Sequence, residues 1–119
     1  MDISRRETLV RKVVEYEGTP SSYFDEIRSF GWDCETELVI LLAENIRNVL
    51  NKYSTGEITG DDVIEWANFI EQRDDIGLDE KQNKVLNEII FWLANPEINY
   101  EINETLMQRI NEMLNNNAI

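Results

Sequence analysis

Apolar residues recur at intervals of three and four along most of this chain, and no segment sustains a two-residue alternation. That spacing gathers them on one face of a helix, which turns once in about 3.6 residues. Val63, Trp66, Ala67 and Ile70 form the clearest such stripe, with Phe69 widening one edge and Ile64 lying off it. The off-stripe isoleucine implies contacts on more than one side of this helix. Thr59 suits its N-cap, and Asp62 stands three residues later in the capping-box position. Asp61 and Asp62 also fall in the first turn, where the helix dipole favours anions.

The same reading places a first helix over residues 3–16, on Leu9, Val10, Val13 and Val14, stopped by Gly18 with Pro20 beyond it. Ser21 or Ser22 would cap a short second helix carrying Tyr23, Phe24, Ile27 and Phe30. Asp33 would cap a long third helix, on Leu38, Leu41, Leu42, Ile46, Val49, Leu50 and Tyr53. A fifth segment shows Leu86, Ile89, Ile90 and Leu93 on one face and ends at Asn95-Pro96, since the residue before proline is pushed out of the helical region. Its Ile89–Asn99 portion is the expected packing partner of the Trp66 helix. Asn103 caps a last helix bearing Leu106, Met107, Ile110, Met113 and Leu114. The prediction is an all-α protein of five or six helices, either a bundle or stacked α-hairpins, pairing the third helix with the fourth and the fifth with the sixth. The length suits a single domain over residues 1–119.

Charge narrows the functional classes. The chain carries 24 acids against 11 bases, a net charge of −13. Nucleic-acid binding by phosphate neutralisation needs the opposite sign, as does docking on anionic membranes. No apolar run approaches membrane-spanning length. There is no histidine, which removes the commonest general base and metal ligand. The single cysteine, Cys34, has no internal disulfide partner, as suits a reducing compartment. A nucleophilic role for it is disfavoured by Asp33, Glu35 and Glu37 around it, and a structural role is the better reading. The charged N-terminus lacks the apolar region of a signal peptide. These features predict a cytoplasmic protein that is not an enzyme and uses no cofactor and no metal.

Residues 57–80 hold nine acids and one base, Arg73. Taken singly, each acid is best explained as solvated surface or helix capping. Taken together, they would steer basic partners toward the stretch. A calcium loop beginning at Asp74 fails, because glycine falls at its fourth position rather than its sixth. No glycine-rich phosphate loop, metal-spaced cysteine set or serine-nucleophile motif is present. Trp66 fits either a core position or a partner-binding anchor.

Three segments carry a resemblance: G-E-I-T-x-D-D-V-I-E-W-A (with Gly60 at x), I-E-Q-R-D-D-I-G and L-A-N-P-E-I-N. Across residues 56–99 they resemble small acidic bacterial proteins of the immunity type, all-helical proteins that neutralise toxins of contact-dependent or polymorphic toxin systems. The resemblance implies a cognate toxin domain as partner. Independently, a small acidic protein lacking catalytic residues is what an inhibitor of a basic nuclease toxin would look like. Asp61, Asp62, Glu65, Asp74, Asp75, Asp79 and Glu80 are the expected interface acids, with Arg73 pairing one of them. The alternative is a helical adaptor or self-associating protein, marked by an exposed Trp32 or Trp92. An enzyme or metal-binding regulator built on a carboxylate cluster ranks third. Composition assigns no oligomeric state.

Overall fold

The computed structural model describes residues 3–18, 20–29, 37–71, 73 and 75–117. Six α-helices dominate: α1 (Ile3–Val14), α2 (Phe24–Arg28), α3 (Ala43–Ser54), α4 (Gly60–Glu71), α5 (Asn83–Ala94) and α6 (Glu104–Asn117). Short 3-10 turns cover Pro20–Ser22, Glu80–Gln82 and Pro96–Ile98. Two three-residue strands, β1 (Val39–Leu41) and β2 (Ile76–Leu78), pair in parallel, with Val39 opposite Ile76 and Leu41 opposite Leu78. Among the described residues the fold is all-α apart from this ladder.

The core grows outward from α4. Its stripe is buried as expected: Val63, Trp66 and Ala67 expose nothing, and Phe69 and Ile70 almost nothing. Packing inside, Trp66 donates its indole N–H to the Val13 carbonyl at 3.0 Å, so the ring satisfies its polar atom against α1. The most extensive helix contact is between α4 and α5, the partner the Ile89–Asn99 pattern indicated. Helix α3 packs on α6 and α4, so pairing three with four and five with six is not the main organisation. Leu86, Ile89, Leu93, Ile110 and Leu114 close the interior from the other side.

The front of the expected third helix is corrected. Val39 and Leu41 are buried and Ile40 between them is exposed, so this stretch is β1 and the helix begins at Ala43. Leu42 at the N-cap has no polar side chain, and the Asn45 side chain instead accepts from the Leu42 backbone N–H at 2.8 Å. Asp33 and Cys34 lie outside the described residues. Strand β2 follows α4, and the parallel pairing needs the long crossover that α3 and α4 supply. A Cβ on Gly77 would run into the Glu37 carboxylate and meet Ile40 Cδ1 at 2.9 Å, so the Glu37 and Ile40 side chains lie close across β2 at this point.

Two helix ends share one device. After α3, the N–H of Glu57 bonds the Lys52 carbonyl at 2.9 Å and that of Gly56 bonds the Tyr53 carbonyl at 3.1 Å. Gly56 takes the left-handed conformation this motif requires, with φ +83°. After α1, Glu17 bonds Lys12 at 2.9 Å and Tyr16 bonds Val13 at 3.0 Å. Tyr16, with φ +51°, occupies the left-handed position there. The first helix therefore ends at Val14, with Tyr16 rather than Gly18 in the left-handed position that terminates it. Burial of the tyrosine ring offsets a conformation that costs a non-glycine residue about 1 kcal/mol or more. The second helix is shorter than its pattern implied, with Ser21 and Ser22 in a 3-10 turn and Tyr23 at the N-cap without a side-chain cap bond.

Candidate partner-binding surface

The acids singled out by the sequence divide by the work their carboxylates do. At the start of α4 the capping box forms: the Thr59 hydroxyl accepts from the Asp62 N–H at 3.2 Å, and Asp62 accepts from the Thr59 N–H at 2.9 Å. Glu65, one turn on, accepts the backbone N–H of Ser21 at 2.9 Å and ties the turn after α1 to α4. Asp61, beside them, projects into solvent. Beneath this turn lies the phenol of Tyr16, whose hydroxyl finds no hydrogen-bond partner among the described residues. Burial first, then the charges of Asp62 and Glu65, push its pKa up to about 12.

Asp75 requires a correction. Its side chain is fully buried, so it faces no partner. Arg6 of α1 donates to it through Nε at 3.0 Å, and Arg73 donates to its two oxygens at 3.0 and 2.6 Å. The Asp75 backbone carbonyl accepts from the N–H groups of Leu38 and Val39 at 2.8 and 3.2 Å. One residue thus joins α1, the end of α4 and the start of the ladder. Burial alone would raise its carboxyl, but hydrogen bonds and charge from Arg73 and Arg6 outweigh that and hold it below the ordinary aspartate range. Arg73 takes the pairing role expected of it and stacks over Phe69, 5.1 Å from the ring centre.

Asp79 turns back to cap the following 3-10 turn, accepting from Lys81 N–H at 3.3 Å, and Glu80 is exposed. Asp74 lies outside the described residues. The structure groups Asp61, Asp62 and Glu65 on the first turns of α4 and sets Asp79 and Glu80 apart, past β2. Among the described residues no three Cys, Asp or Glu side chains converge as a metal would need.

Sequence reasoning passed over a second acidic feature. A groove lies between the start of α4 and the chain after α5, lined by Gly60, Asp61, Ile64, Pro96, Glu97, Glu101 and Ile102. Ile64 is the residue that fell off the α4 stripe, and it was the one available signal. Of the two tryptophans tied to the adaptor reading, Trp92 is buried against Tyr100 and Arg109, with ring centres 5.0 Å apart in the Trp92–Tyr100 pair. Trp32 lies outside the described residues. Among the described residues no helix is long and apolar enough to cross a membrane. No protein-family model, curated protein or solved structure matches the chain.

Proposed function

We propose that this protein is an inhibitor of the immunity type, which binds a cognate basic toxin domain of the nuclease class in the cytoplasm through its acidic surface. The observation that carries the reading is the fate of Arg73. It is the only base among residues 57–80, and its side chain is withdrawn into the interior against Asp75. The accessible face of that stretch therefore presents carboxylates without a positive charge of its own. Asp61 and Glu80 are the acids most open to a partner, while Asp62, Glu65 and Asp79 also hold local structure. Such a surface occupies the cationic positions a nuclease uses for phosphates and speeds encounter by long-range attraction.

The test is affinity capture from the native host with this protein as bait, at low and then high salt. Recovery of a basic protein domain released by salt supports the reading. An apolar partner that resists salt would replace it with an adaptor function. Once a partner is in hand, reversing Asp61 and Glu80 to lysine should slow association more than tenfold. An unchanged association rate with unchanged salt dependence would put the interface elsewhere.

A further inference from the structure

We infer that the groove between α4 and the segment after α5 is a docking site for a basic amphipathic segment of a protein partner. The inference rests on the reading of a basic partner and names where and how it is held. The groove has an apolar floor, made by Ile64, Pro96 and Ile102, and an acidic rim, made by Asp61, Glu97 and Glu101. None of the three rim carboxylates pairs with a cation among the described residues. Glu57 is engaged by Lys52, Glu26 by Arg5 and Asp75 by Arg6 and Arg73, whereas the rim acids share their lack of a cation among the described residues with exposed acids such as Glu80. What sets the rim acids apart is the apolar floor between them. Ile98, in the same turn as Pro96 and Glu97, is 69% exposed.

The pattern of floor and rim matches one kind of side chain. Lysine and arginine carry an aliphatic stem that covers apolar surface and a cation that stays at the edge. Seated here, the stem would lie on Ile64, Pro96 and Ile102 and the cation would reach the rim. Other occupants fit worse. A second copy of this chain, at net −13, brings like charge to the rim. A metal ion lacks three convergent ligands among the described residues, and nucleic acid shares the sign of the rim. The start of α4 is fixed by its capping box, and Gly60 lies against Ile102, 3.5 Å from a Cβ built there, so the groove is preformed.

The test is a nitrogen-15 chemical-shift titration of the whole chain with three synthetic peptides: an amphipathic leucine–lysine helix, a scrambled peptide of the same composition, and a leucine–glutamate counterpart. The first should give saturable shifts centred on Gly60, Ile64 and residues 96–102. A charge-reversed variant, Glu97→Lys with Glu101→Lys, alters exposed side chains and should weaken that binding at least tenfold. Equal shifts from the scrambled or acidic peptide, shifts spread over the whole acidic surface, or undiminished binding by the variant would each overturn the site. Failure here is separable from failure of the inhibitor reading. If capture from the host recovers the same basic partner with wild type and variant, the inhibitor stands and the groove falls. Groove binding with no basic partner recovered gives the converse.

Discussion

Asp75→Asn keeps the size of the side chain and removes its charge, leaving Arg6 and Arg73 buried against an amide. Breaking a buried pair from one side costs about 3–5 kcal/mol, so urea denaturation at neutral pH should register a loss of that order. The sign with pH follows from a carboxyl held below its ordinary value. Its contribution is complete above the unfolded aspartate value, about 3.9, and is lost as pH falls through the depressed folded one. The difference between wild type and Asp75→Asn should therefore shrink in acid; a constant difference would mean the charge is not what matters. Tyr16 runs the other way. Its phenol is raised to about 12, so the fold should lose stability as pH climbs from the ordinary tyrosine range toward that value, and Tyr16→Phe should abolish that part of the loss. At neutral pH the phenylalanine also removes an unpartnered buried hydroxyl and should stabilise by about 1 kcal/mol. A destabilised Tyr16→Phe would show that the hydroxyl has a partner after all. Neither role could be read along the chain. Asp75 sits in an acidic run that looks uniform, and only Arg6, 69 positions away, sets it apart.

Helix α4 carries both its own cap and one wall of the groove, so a local change there tests the element as a unit. Thr59→Ala removes the hydroxyl that accepts from Asp62 and should cost about 1 kcal/mol in chemical denaturation. It should also blur the shifts of Gly60 and Asp61 in the free protein; unchanged stability would mean the cap bonds are not held in solution. This cap was legible in the sequence, because a capping box needs only neighbours three apart. So were the Trp66 stripe, the Asn103 cap, which accepts from Leu106 N–H at 2.9 Å, and the stop at Asn95-Pro96. The ladder was not. Three residues are too few to separate alternation from a helical stripe, and Leu38, Leu41 and Leu42 fit both. What decides for the strand is its pairing with Ile76–Leu78, a contact of high sequence separation. The groove escaped for the same reason: Ile64 and Ile102 come from segments far apart, and Pro96–Asn99 reads locally as a plain loop.

A molecule with net charge −13 stores repulsion among its surface carboxylates, and the buried Arg6–Asp75–Arg73 cluster is beyond the reach of salt to weaken. Raising sodium chloride from about 10 mM to about 0.15 M shortens the screening length to about 8 Å. The melting temperature should rise over that interval, while association with a basic partner slows. A melting temperature that falls with salt would mean that surface ion pairs such as Arg5–Glu26 and Lys52–Glu57 outweigh the repulsion. The bond from Trp66 to Val13 has an optical consequence. An indole that is wholly enclosed and donates to one backbone carbonyl emits at short wavelength. Its acceptor belongs to α1, 53 positions back along the chain. Undocking of the first helix alone, with the other five still packed, would let water reach the ring and shift its emission to the red. Fluorescence of a Trp32→Phe, Trp92→Phe background would then follow one helix leaving its seat in real time, with no label added.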